Sequence, residues 1–365
     1  TAYEIIAGDW SSDVCSSDLN GFIGKNLLNE LKNQHDILEI NEDIFDIEDW
    51  YNCDFINQDF NWDKYEVRIY ESVDRILDEL AKHKIIATFF CLGWLAEKHP
   101  KVIQKIHSQG HQIGCHSYQH QLSFRFDKAG FKADTLKAKK LLEAVIGEPI
   151  YSFRAPGFSI TEQNIWALEA IAELGFKYDC SLFPAAHEYG GFSSYGEAEP
   201  AILKLPNGMI IKEFPMSVKS LYGKKIVFSG GGFFRFFPYF LIKRWSIQSS
   251  YLMTYFHPRD FDPKQPRIDS LPIHRKFKSY VGLKKAFSKF QKLLNDFEFL
   301  GIQFVSGRPF ISEDEVEHWK SKVKQDVFSE KGKLRTYKML NPELQNLPSG
   351  KDIQNTVWSQ HLTGK

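Results

Sequence analysis

Residues 44–49 read IFDIED and residues 87–92 read ATFFCL, and between them Ile69, Val73, Ile76, Leu77 and Leu80 recur at the spacing of one helical face. Strand, helix, strand is the reading of 44–92, and the rhythm continues outward from it. QIGCHS (112–117), YSFRAP (151–156), KYDCSLF (177–183), MIIKEFP (209–215), YLMTYFH (251–257) and GIQFVS (301–306) read as strands, with amphipathic runs over 134–146, 162–174 and 284–298. Such alternation points to an α/β protein with a parallel sheet and crossover helices. Seven or eight units suit a closed, distorted (β/α)7–8 barrel better than an open doubly wound sheet, and a barrel carries its chemistry where strands end.

Composition narrows the partners. Forty-six basic residues balance forty-six acidic ones among 365, so no global field favours nucleic acid or anionic lipid. The 43% hydrophobic share supports a sizeable core, and the 15% aromatic share, mostly core packing, also hints at clefts that grip sugar rings. Cys15, Cys53, Cys91, Cys115 and Cys180 are widely spaced and form no C-x-x-C pair, which argues against a disulfide framework or a thiol zinc site. No run approaches eighteen apolar residues, and the start lacks a basic segment followed by an apolar one, so the expectation is a cytoplasmic protein without a membrane span.

The ends of the chain read differently from its middle. Residues 1–19 include GDWSSDVCSSDL, which has no structural period and resembles translated adapter sequence or a disordered segment. Residues 20–43 resemble a fragment of a nucleotide-sugar epimerase, with Gly21 and Gly24 entering a helix as in a Rossmann unit; its first strand and first glycine are missing, so dinucleotide binding is not expected. The barrel is assigned to 44–311, and 312–365 reads as a polar tail.

Polar residues gather at four of the strand ends. FDIEDW places Asp46, Glu48 and Asp49 within four residues, a mutually repelling set that calls for a cation. HSYQH sets His116 and His120 four apart, on one face of a helix or wrapped around one ion in a loop. Two neutral imidazoles and one carboxylate, with positions left open, form a catalytic metal set and not a closed structural one. In RAPGF, Arg154 is placed to orient a carboxylate through a bidentate pair and Pro156 to fix the loop, while His257 ends the apolar strand before HPRDFDP.

The motifs FDIEDW, HSYQH, RAPGFS, YDCSLFP, EFPMS, GGGFFRFFPY and HPRDFDPKQPR occur in the order of one family. Residues 44–306 resemble a polysaccharide deacetylase with the NodB homology domain, carbohydrate esterase family 4, in the subgroup with a D-x-E-D first motif often found beside exopolysaccharide genes. The resemblance implies a metal-dependent hydrolase of carbon–nitrogen bonds that removes N-acetyl groups from amino sugars in a glycan and releases acetate. It implies a divalent ion, zinc above all, held by Asp49, His116 and His120. Asp46 is then the general base, with Glu48 able to take either acidic role. Arg154 orients the base and His257 is the general acid. Asp179 and Ser181, with Cys180 in place of a middle serine, match a groove-lining motif and, with Pro156, are the expected substrate contacts. Trp50, Tyr118, Phe158, Phe183, Phe233 and Phe234 are candidates to stack on sugar faces. The competing readings are an amidase for a small amide and a glycan-binding barrel without turnover; an epimerase would need a Tyr-x-x-x-Lys pair in a Rossmann setting.

Overall fold

The computed structural model describes residues 40–302, apart from 54–59, 197, 222, 250, 298, 300 and 301, together with 335–338. The described residues belong to the unit Glu39–Lys365. Strand β1 (Ile40–Glu42) runs directly into β2 (Ile44–Ile47), and from β2 onward β3 (Thr88–Cys91), β4 (Gln112–Cys115), β5 (Ser152–Phe153) and β6 (Tyr178–Asp179) alternate with helices, as the periodicity requires. β2 through β6 and the strand Ile210–Glu213 are successive parallel neighbours. Ala201–Lys204 adds to Ile210–Glu213 in the antiparallel sense, and Arg335–Lys338 adds to Ala201–Lys204.

Closure comes from the late strand Tyr251–Met253. It pairs in parallel with β1, and its continuation reaches β2, where the Asp46 amide donates to the Phe256 carbonyl at 2.9 Å and the Phe256 amide to the Ile44 carbonyl at 3.0 Å. On its other side Ser217 Oγ accepts from the Met253 amide at 2.8 Å and donates to the Tyr251 carbonyl at 3.4 Å. The sheet thus curls into the expected distorted barrel, and among the described residues eight strands, β1 to β6, Ile210–Glu213 and Tyr251–Met253, pair in parallel. Strand pairing begins at Ile40, four residues ahead of the boundary read from sequence. Of the eighth expected strand, 301–306, only Ile302 is described, buried with its amide donating to Thr88 Oγ1. The expected N-terminal segment lies outside the described residues up to 39, as does the polar tail apart from Arg335–Lys338.

The packing explains why the apolar strands read as they do. Ile44, Phe45, Ile47, Phe89 and Phe90 are wholly buried, because a parallel strand is covered on both faces. Phe45 stacks on Phe89 with centroids 4.8 Å apart. The helix Ile69–His83 buries the stripe Ile69, Val73, Ile76, Leu77 and Leu80. The helix Lys128–Ile146 starts where Asp127 accepts from the Gly130 amide and stops at Gly147, whose φ of 80° breaks it. Late in the chain, GGG admits a close approach: a Cβ on Gly230 would lie 2.2 Å from the Tyr255 carbonyl oxygen, against which the next helix, Gly231–Phe236, begins. Among the described residues no helix is long and apolar enough to cross a membrane.

Candidate metal and catalytic site

The end of β2 carries three acids with three different fates. Asp46 lies on the strand, and Arg154 Nη1 spans both its oxygens at 3.3 and 3.4 Å. The expected fork-on-fork pair is not what forms. Arg154 is wholly buried and spends its other donors elsewhere, Nε on the Cys180 carbonyl at 3.1 Å and Nη2 against Met253 Sδ at 3.0 Å. Glu48 faces the histidines, with Oε2 2.9 Å from His120 Nε2 and Oε1 3.5 Å from His257 Nε2. Asp49 turns away from them. Its Oδ1 accepts from the Trp50 amide, and its Oδ2 from the Arg68 and Ile69 amides at 2.7 and 3.0 Å, where the helix Ile69–His83 begins. The metal role expected of Asp49 therefore has no geometric support, because its lone pairs answer the amides that a helix start leaves unpaired. Among the described residues, the group able to hold a cation is Glu48, His116 and His120, whose donor atoms lie within 4.8 Å of one another.

HSYQH is a loop, not a helix. Ser117 and His120 have φ of 65° and 55°, a left-handed conformation costly for side-chain-bearing residues and concentrated at functional sites. Ser117 Oγ accepts from the His120 amide at 3.0 Å, and the first amides of the helix Gly93–Lys98, Gly93 and Trp94, donate to the Ser117 and Tyr118 carbonyls. The His116 Nδ1 hydrogen is given to the Arg154 carbonyl at 2.8 Å, so Nε2 keeps the lone pair a cation needs. Burial pushes the His116 pKa down to about 4, which keeps this imidazole neutral.

His257 also reaches the acids, its Nε2 3.5 Å from Glu48 and 3.9 Å from Asp46. Asp260 Oδ2 accepts from the His257 amide at 2.9 Å and lies 3.0 Å from Nδ1. Burial opposes its protonation, but Glu48, Asp260 and Asp46 outweigh that and push its pKa up to about 9. The side chain is 22% exposed, leaving a route for a substrate. Burial likewise opposes charge on Glu48 and Asp260. The imidazoles of His120, His257 and His116 nevertheless hold Glu48 well below the usual carboxylate range, while Arg235 and His257 bring Asp260 to about 2.

Residues 61–178 match the model of the family described as polysaccharide deacetylase, and residues 180–306 that of a domain of unknown function, DUF3473. Residues 61–178 thus carry a polysaccharide deacetylase domain. Over 100 residues the chain is 34% identical to a peptidoglycan-N-acetylglucosamine deacetylase of Bacillus cereus, covering 27% of this chain and 36% of that protein. Over 99 residues it is 25% identical to a chitooligosaccharide deacetylase of Bradyrhizobium, covering 27% and 45%. The chain thus spans less than half the length of these curated relatives. A crystal structure from Mycobacterium smegmatis, described as a polysaccharide deacetylase, shares the fold with a TM-score of 0.50 at 17% identity, over 75% of this chain and 90% of that one.

The expected groove residues are placed underneath the site. Asp179 and Ser181 are wholly buried, with Ser181 Oγ donating to Asp179 Oδ1 at 2.6 Å and accepting from the Ala155 amide at 2.8 Å. Pro156 is buried in the turn that follows. All three support the loop bearing Arg154, and Asp179 and Ser181 have no exposed surface to offer a sugar, so the expectation of substrate contact finds no support in the geometry. Trp50, Phe158, Phe183 and Phe234 are likewise core; Tyr118 is half-buried with Lys137 Nζ 3.3 Å from its ring centre, and Phe233 is 43% exposed. Sequence reasoning missed Asp260 and Cys53, whose thiol donates to Glu48 Oε1 at 3.5 Å and accepts from Arg259. The signal for Asp260 was present in HPRD: a residue three after His257, on a tight turn, returns to it.

Proposed function

We propose that the protein is a metal-dependent N-deacetylase acting on a glycan that contains N-acetylated amino sugars. The observation that carries this reading is the convergence of Glu48, His116 and His120 donor atoms within 4.8 Å, with His257 Nε2 3.5 Å from Glu48 and 3.9 Å from Asp46. Two neutral nitrogen donors and one carboxylate fit a divalent ion of the zinc class, the His116 tautomer already being set for it. Glu48, His116 and His120 would hold such an ion, which would supply Lewis acidity toward an acetyl carbonyl and toward a water molecule.

The chain's own groups do the rest. Asp46, fixed by Arg154, accepts the proton of the attacking water. His257, charged and held by Asp260, donates a proton to the amide nitrogen as the carbon–nitrogen bond breaks, so the products are acetate and a free amino sugar. An amine leaves poorly without that proton, which makes the position of His257 as important as that of the base.

The test is acetate release from an N-acetylglucosamine oligomer by the full chain, with zinc, after chelation, and with His116→Ala. Release that stops in both latter cases supports the reading. A folded, zinc-loaded protein that releases no acetate refutes it in favour of another amide or a binding role.

A further inference from the structure

The ring of His257 is aimed from behind. Asp260 holds its Nδ1 and backbone amide through one oxygen, and the other oxygen, Oδ1, lies 3.0 Å from Arg235 Nε. Arg235 is 4% exposed and comes from the helix Gly231–Phe236 in GGGFFRFFPY, a motif to which the mechanism assigns nothing. Its Nη1 donates to the Ser279 and Val281 carbonyls at 3.0 and 2.9 Å, and Nη2 to the Lys278 carbonyl at 2.7 Å. Those carbonyls lie at or just past the end of the helix Ile273–Tyr280, where a helix leaves acceptors unpaired and favours positive charge. The backbone is held as firmly, since Lys289 Nζ donates to the Phe234, Arg235 and Phe237 carbonyls. The contact is also close: at Gly282, with φ of 68°, a Cβ would lie 2.3 Å from the Arg235 carbonyl oxygen.

We propose that Arg235 is a positioning residue for leaving-group protonation: through Asp260 it sets the His257 imidazole so that Nε2 points to the site beside Asp46 and Glu48. The inference rests on the reading of His257 as the general acid. A planar guanidinium suits the task because its fork, fixed on the helix-end carbonyls, holds the charge 3.0 Å from Asp260 Oδ1. A lysine ammonium, a point charge on a flexible stem, keeps the charge and loses the fork that places it.

The experiment compares Arg235→Lys and Arg235→Met with the wild type, each zinc-loaded, on an N-acetylglucosamine oligomer and on 4-nitrophenyl acetate. Nitrophenolate departs without a proton, so only the amide reports on His257. The expected result is a roughly 10²-fold fall in kcat on the oligomer with KM little changed, and an ester rate within about twofold of wild type. Equal loss on both substrates, or no loss on either, overturns the proposal. The proton resonance of His257 Nδ1, assigned by its absence in His257→Gln, provides a readout independent of turnover. It should be lost in Arg235→Lys, and its persistence there overturns the proposal. A wild type that turns over neither substrate refutes the deacetylase reading, while the resonance still decides the role of Arg235.

Discussion

The loop 116–120 and the turn 257–261 bring imidazoles to the same carboxylate, Glu48, and put them in opposite states. His116 gives its second nitrogen to a carbonyl, and burial then keeps it neutral, with a pKa near 4. His257 has a carboxylate at each end, and although burial opposes the charge, those acids raise its pKa to about 9. What differs is the group behind the ring: a carbonyl leaves a lone pair free for a cation, whereas a carboxylate stabilises a proton for transfer. On the proposed reading, one acid cluster then serves a ligand and an acid at once.

The largest effect expected from breaking this contrast is at the ligand. His116→Ala should lose its bound divalent ion on dialysis and drop acetate release to background; metal content equal to wild type would remove the assignment. His257→Ala should instead keep its metal and lose about 10²–10⁴-fold in kcat. Loss of metal in that variant would make the two histidines alike and erase the distinction drawn here.

Arg154→Met leaves the buried Asp46 carboxylate without its cation, at an expected cost of about 3–5 kcal/mol in urea unfolding. A cost below about 1 kcal/mol would mean that the pair does not order the base. The pH dependence of the metal-free protein separates the two histidines further. The folded pKa of His257 lies above the ordinary 6.5, so its contribution to stability is complete below about 6.5 and fades as pH rises toward 9. For His116 the folded pKa lies below 6.5, so stability falls as pH drops from about 6.5 toward 4, where the unfolded chain takes up a proton that the folded one refuses. Urea midpoints of wild type and His257→Gln should differ most below pH 6.5 and converge above 9; a gap independent of pH contradicts the assignment. The smallest effect belongs to Asp49→Asn. Removing its charge from a helix start costs about 0.3–1 kcal/mol and should leave metal content unchanged.

The barrel was legible because buried parallel strands are continuous apolar runs, and the polar residues closing those runs at His116, Arg154 and His257 stood out against them. The choice between Glu48 and Asp49 was not legible. Adjacent residues point to different sides, and which side holds the histidines depends on where the helix Ile69–His83 docks, twenty residues later. Asp179 and Ser181 misled because a motif records position near a site without recording which face is exposed. The strand Ala201–Lys204 and the hairpin Val218–Leu221 with Lys224–Val227 were missed, since AILK, VKSL and KKIV each carry lysine and fall outside the strand–helix alternation. Arg235 was out of reach for another reason: its meaning lies in carbonyls more than forty residues away.

The closure of the barrel also has a consequence in time. The partners that complete the outer edge of β2 lie far downstream, and the neighbouring contact between Asp43 and Thr254 spans 211 residues. At about 5–20 residues per second, a ribosome needs on the order of ten to forty seconds to deliver them. Through that interval the nascent chain carries an open apolar strand edge, the kind of surface on which chains pair with one another. Yield on expression should therefore respond to synthesis rate and chaperone supply more than the finished protein's stability would indicate.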